Sequence, residues 1–400
     1  LTVSKSRGSH TTLDGVCQYC QHCIFSYTTA DGKTIPLASN IDFGSKILSH
    51  TVDNNGECII EFEGKFTRIP DRAFLNTKIN SNNIKIPNTV TSIGSYAFNN
   101  TAISGPLYIP NSVTEIGEGA FENCMNLYSL SLQSNLKRIG NRAFYACRFS
   151  GSLTIPNSVT EIGERAFQNC TGFNGTLTLS NKLETIGESA FNGCSGFTGS
   201  LTLPNSVTTI GNAAFRACGS FTNLELSNAL SVIPYQAFWG CTSLSGNLVI
   251  PNSVKEIGIC AFYECSGFNG TLTLSNNLKV IGDRVFSGCN KIKTIKFQSL
   301  PKVLEGSLND YKPIVSLSDD SYISYQASGT VDAISYTRKM SSDWGTLILP
   351  YSLTLTGSEP YRLYAISAVS ENELVLKQLE GVVNAGTPCV VHRNNKQAEL

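Results

Sequence analysis

One nine-residue phrase returns ten times: IPDRAFLNT at 69–77, IGSYAFNNT at 93–101, IGEGAFENC at 116–124, IGNRAFYAC at 139–147, IGERAFQNC at 162–170, IGESAFNGC at 186–194, IGNAAFRAC at 210–218, IPYQAFWGC at 233–241, IGICAFYEC at 257–265 and IGDRVFSGC at 281–289. Successive starts lie 23 or 24 residues apart. A fixed period of this length means stacked supersecondary units, each too small to bury its apolar side alone.

Each unit can be read from its residues. The triplet Leu153-Thr154-Ile155 alternates apolar and polar side chains, the period of a short strand with one buried face. Pro156, Pro204 and Pro251 follow such triplets and end them, since proline cannot donate to a ladder. Val159 and Ile162 re-enter the interior. The next position is Gly in eight units and Pro70 or Pro234 in two. A site that tolerates proline suggests a helix start, with Ala-Phe on one short helical turn. Ten of the 20 Phe, from Phe74 to Phe286, stack into one spine on this reading. Eight Cys share one repeat position, Cys124, Cys147, Cys170, Cys194, Cys218, Cys241, Cys265 and Cys289. They read as a ladder of buried free thiols. Parallel side-chain vectors make disulfides between neighbours awkward.

The pattern LxIPxxVxxIGxxAFxxC resembles the BspA-like leucine-rich repeats, related to those of the Treponema pallidum repeat protein, over residues 69–297. The resemblance implies a right-handed superhelix with a parallel β-sheet, export, and adhesion to a host extracellular-matrix or cell-surface protein or glycan. It carries no catalytic residues to transfer, and a scaffold does not name its ligand. The fold expected is thus a β-rich leucine-rich-repeat solenoid with short helical turns. Its expected parts are a β cap at 1–62, ten units at 63–299, a Ser-, Asp- and Pro-rich linker at 300–328, and a β-sandwich-like module at 329–400 that continues beyond the last residue.

Composition narrows the function. Lys plus Arg number 30 against 30 Asp plus Glu, which gives no support to nucleic acid or an anionic membrane as partner. No run approaches the roughly 20 apolar residues of a membrane span. The chain begins at Leu1 without an apolar leader, so an extracellular or cell-surface location is an expectation whose signal segment lies outside this sequence. His10, His22, His50 and His392 all lie outside the repeats, so no Ser–His–Asp or Cys–His set can form there. Glu115, Glu161, Glu184 and Glu256 read as a stacked ladder of solvated carboxylates, not a catalytic pair. The chain is expected not to be an enzyme and to need no cofactor. Cys17, Cys20 and Cys23, spaced CxxCxxC around His22, are the metal candidates. They lack a well-placed fourth ligand; a disulfide involving Cys58, or loose thiols, is the competing reading.

The binding candidates are the middle residues of the triplets, which face outward. Tyr108, Thr154, Thr178, Thr202, Glu225 and Thr273 form the proposed contact set, with Lys85, Ser131, Val249 and Lys296 at the same position. Tyr108 stands as the lone aromatic among them. The leading expectation is a monomeric platform for a protein or glycan. The alternatives are a spacer presenting another domain at the cell envelope, thermodynamically preferred exposed Thr with no ligand, and an ice- or crystal-binding face, which Glu225 and Val249 interrupt.

Overall fold

The computed structural model describes residues 23–38, 41–82 and 84–292 throughout, and outside them a set of strands without their side chains. The chain forms two compact units, Leu1–Leu230 with Pro234–Leu244, and Ser231–Ile233 with Ser245–Leu400.

The first unit opens with an antiparallel cap. Cys23–Tyr27, Cys58–Phe62 and Ile47–Val52 form its centre and one edge, and Val16–Cys17 and Thr12–Leu13 complete five strands. Cys23, Phe25 and Tyr27 point inward, as do Cys58, Ile60 and Phe62, the period of two of a half-buried sheet. Beyond the cap runs a parallel β-solenoid. Two-residue strands, from Arg68–Ile69 and Ser92–Ile93 to Thr209–Ile210, build a seven-stranded parallel ladder. Its isoleucines stack in register, Ile116 on Ile139 on Ile162. The triplets form short parallel pairs on another side: Ser104–Ile109 with Asn126–Leu132, Leu153–Thr154 with Leu177–Thr178, and Gly199–Thr202 with Phe221–Glu225.

The Ala-Phe segments correct one expectation. No helix occurs among the described residues, and each of these segments is a run of turns. In the coil at 162–170, Ala166 N–H donates to Gly163 O and Gln168 N–H to Arg165 O, both inside the coil. The alternate amides of Arg165, Phe167 and Asn169 donate instead to Glu188, Ala190 and Asn192 of the next coil, all at 2.8 Å. Arg165 and Asn169 adopt left-handed φ of 54° and 61°, which turns every second amide outward and is incompatible with an α-helix. The glycine is not a helix start. A Cβ on Gly187 would lie 2.5 Å from Glu164 N and 2.6 Å from Gly163 C, so the neighbouring backbone leaves room only for hydrogen. The same glycine donates its amide to the preceding coil, Gly187 N–H to Ile162 O at 2.8 Å. Pro70 needs no such donor because its coil is the first in the ladder. Pro234 cannot supply one, and the seven-stranded ladder ends at Thr209–Ile210.

This close approach packs the interior. Rings from Phe74 through Phe98, Phe121, Phe144, Phe167, Phe191 and Phe215 to Phe238 stack with centroids 5.0 Å to 5.6 Å apart. Phe173 and Phe197 stack at 4.6 Å in a second file. The repeat cysteines are free and buried. Cys124, Cys147, Cys170, Cys194, Cys218, Cys241 and Cys289 each donate to the Phe carbonyl one coil back, Cys147 to Phe121 at 3.1 Å and Cys170 to Phe144 at 3.0 Å among them. Burial pushes Cys124 and Cys241 up to about 12 and Cys147, Cys170 and Cys218 well above the usual thiol range.

In the second unit, Val232–Ile233, Glu256–Ile257, Val280–Ile281 and Glu305–Gly306 form a four-stranded parallel ladder. Leu248–Val249, Thr271–Leu274, Thr294–Phe297, Ile314–Leu317 and Ala333–Tyr336 form a five-stranded parallel sheet. Parallel pairing therefore includes strands between residues 300 and 336. Trp344–Ile348, Pro388–Arg393, Tyr361–Val369 and Leu374–Gln378 then pair antiparallel, as do Leu353–Leu355 and Gly381–Val383.

Two outcomes follow for stability. Gly187→Ala forces two coils apart and is expected to cost about 1–3 kcal/mol, read as a lowered urea midpoint. The buried thiols keep their protons in the folded chain, so the stability they contribute is complete below the unfolded thiol pKa of about 8.5. It falls as pH rises from there towards the raised folded values, by about 1.4 kcal/mol per pH unit for each thiol. Urea midpoints should be level from pH 6 to 8 and drop steeply above about pH 9.

Candidate binding face

The triplet geometry sets the candidate face. Leu153 and Ile155 are buried while Thr154 between them is exposed, because neighbouring side chains on a strand point to opposite sides. In the first unit Tyr108, Thr154, Thr178, Thr202 and Glu225 are all exposed, as are Lys85 and Ser131. Register places Tyr108 beside Ser131, Thr154 beside Thr178 and Thr202 beside Glu225. Thr202 Oγ1 donates to the Glu225 carboxylate at 3.1 Å, so this charge is already partly engaged. Ser152 and Thr176 join by a 3.3 Å hydroxyl bond along the same side. In the second unit Val249 pairs with Thr273; Val249 is exposed, but Thr273 is only half-exposed. The side chain of Lys296 lies outside the described residues.

Tyr108 is not the lone exposed aromatic. The strand Asn126–Leu132 carries a bulge, with Leu127 opposite Gly105 but Ser129 opposite Pro106. Tyr128 is the extra residue, and a bulge re-aims its side chain outward. Tyr128 is 55% exposed and Tyr108 51%, with Met125 at 48% where the strand begins. The triplet pattern hid Tyr128, because strict alternation through Leu130-Ser131-Leu132 ignores an inserted residue. The local signal was MNLYSLSL itself, which lacks the Gly seen before LTI at 151 and LTL at 175.

The carboxylate ladder is also corrected. Arg138 stands between Glu115 and Glu161, 3.9 Å from one and 3.0 Å from the other, so charges alternate there. Thr185, not Glu184, occupies the next position beside Glu161. These groups are about half exposed and such pairs contribute little.

The remaining candidates are in the cap. Cys23 and Cys58 are buried and free, and Cys58 donates to Lys33 O at 3.5 Å, so no disulfide forms at Cys58. The side chains of Cys17, Cys20 and His22 lie outside the described residues; among those described, no group of three His, Cys, Asp or Glu is placed to hold a metal. His50 meets the Tyr27 hydroxyl at 2.6 Å, and burial holds its pKa below the usual value. Burial raises the Tyr27 and Cys58 pKa values in turn, which leaves both protonated and unreactive at neutral pH.

Comparison with known proteins agrees with this architecture. The family model for the BspA type leucine rich repeat region matches in six copies, over residues 58–174, 173–266 and 245–318. Among solved structures, a leucine-rich repeat protein from Bacteroides ovatus is similar at 24% identity over 76% of this chain and 89% of that one, with a TM-score of 0.54. A leucine rich cell surface protein from Faecalibacterium prausnitzii aligns at 22% identity over 70% of this chain and 93% of its own, with a TM-score of 0.34. The T. pallidum leucine rich repeat protein aligns at 20% identity, over 65% and 91%, with a TM-score of 0.29. No curated protein sequence matches.

Proposed function

The chain belongs to the BspA-type leucine-rich-repeat family, and from that premise we propose that it is a binding or adhesion platform, outside the cell or on its surface, for a protein or glycan. Family and fold are those of a repeat scaffold, and the reading assigns the chain no catalysis. One observation carries it: an outward sheet face of short hydroxyl side chains on which Tyr108 and Tyr128 are both exposed. Exposed tyrosines offer large contact area with little ordering cost, and they dominate the binding energy of many interfaces. The serines and threonines around them supply hydrogen bonds, and the scarcity of charge suits a neutral partner. Export and a monomeric state rest on the family likeness alone. A host matrix protein or cell-surface glycan is the partner class this supports.

The test is an array of matrix proteins and glycans probed with the full chain and with Tyr108→Ala/Tyr128→Ala. Both tyrosines are exposed, so the double variant should keep its stability within about 1 kcal/mol. The expected result is a partner bound above background whose signal falls at least about tenfold in the variant. No ligand above background would favour the spacer, and equal binding by both proteins would move the site off this face.

A further inference from the structure

The first coil of the first unit differs from the later ones at its outer edge. In every later coil of this unit, three alternating carbonyls of the turn segment accept amides from the coil before. Ser95, Ala97 and Asn99 accept from Arg72, Phe74 and Asn76 at 2.8–2.9 Å, and Glu118, Ala120 and Glu122 accept in turn from Tyr96, Phe98 and Asn100. The equivalent carbonyls of the first coil are Asp71, Ala73 and Leu75. Among the described residues nothing donates to them.

Among the described residues, the cap bonds to this edge at its two ends. Thr67 and Arg68 donate their amides to Phe43 O, while Lys78 O accepts from Ala30 N–H and Asn80 N–H donates to Thr28 O. Between these clamps lies a cavity of about 1090 Å³ lined by Asp71, Ala73, Leu75, Arg72, Lys33 and Ile35 among others. Two of its ion pairs are already closed, Arg68 with Asp42 and Lys78 with Asp31. Asp71 gives one oxygen to the Ser95 amide at 2.6 Å. Lys33 and Arg72 face the cavity without an ionic partner among the described residues; Arg72 lies 6.0 Å from the Tyr96 ring centroid.

We propose that this groove is a peptide-binding site. It takes a short extended segment whose alternate N–H groups meet the Asp71, Ala73 and Leu75 carbonyls, and whose acidic side chain lies against Lys33 and Arg72. The edge offers acceptors alone, so the occupant must be a donor. An extended strand presents an N–H on one side at every second residue, the spacing at which each coil donates to the next, and the carbonyls it presents between them are left to water in the groove. Edge pairing of this kind gives affinity through the main chain and selectivity through side chains. The site is separate from the sheet face, and either can fail without the other.

The experiment uses the full chain and three capped pentapeptides: Ac-Thr-Glu-Val-Glu-Thr-NH2, its Gln counterpart, and the Glu peptide N-methylated at every residue. The readout is the carbonyl carbon shift of Asp71, Ala73 and Leu75. The Glu peptide should move all three downfield, and the N-methylated peptide, which has no donors, should move none. Lys33→Glu/Arg72→Glu, both on the surface, should weaken the Glu peptide about tenfold and leave the Gln peptide unchanged. Absence of any shift up to millimolar peptide would overturn the proposal. Equal shifts from the N-methylated peptide would do so too, as would shifts that grow with protein concentration alone, which would make the occupant another copy of the chain.

Discussion

Everything in the solenoid depends on one division of labour in its turn segments: alternate amides close the turn, and the amides between them bond to the next coil. Phe167 donating to Ala190 at 2.8 Å is one such rung. The division requires left-handed φ at Arg165 and Asn169, and it draws neighbouring backbones together until Gly187 can carry no Cβ. Ring stacking at 5.0–5.6 Å is the side-chain consequence of that backbone spacing. So is the thiol ladder, in which Cys147 and Cys170 each reach the carbonyl one coil back. Because stacked thiols are desolvated, they stay protonated and act as small apolar groups with a weak donor.

The same constraint sets where binding can happen. A ladder that satisfies its backbone between coils leaves side chains as the recognition surface along its length, and leaves backbone as the recognition surface at its end. The sheet face is the first kind, with Tyr108 and Tyr128 as anchors on a field of hydroxyls. The groove at Asp71, Ala73 and Leu75 is the second kind, an edge that the described part of the cap clamps at both ends. Uncovered edges pair readily with other chains. Here the flanking charges and the cap strands limit what can reach the edge.

Much of this was legible in the residues. The buried set of Ile, Ala, Phe and Cys follows from the period of the phrase, and the outward set follows from alternation in the triplets. The turn did not, because proline at 70 and 234 fits a helix start as well as a coil with no amide to give. Local pattern cannot distinguish an amide bonded within its coil from one bonded to a neighbour 23 residues on. Tyr128 was hidden by a bulge that breaks alternation by one residue. Glu184 is a different case: the pairing there is regular, and the sequence itself sets Glu184 two residues before Ile186, level with Thr160 and not with Glu161. The groove was not legible at all. It exists because the connections of the cap, at residues 28–30 and 43, dock on the first coil at residues 67–68 and 78–80, a tertiary fact without a sequence motif.

The most direct test of the inter-coil ladder is the scalar coupling transmitted through a hydrogen bond, measured on deuterated full chain. The Phe167 amide nitrogen should couple to the Ala190 carbonyl carbon, with matching couplings from Phe144 to Ala166 and from Phe191 to Ala214. A coupling from Phe167 to the Gly163 carbonyl, the partner an α-helical turn would use, would contradict it.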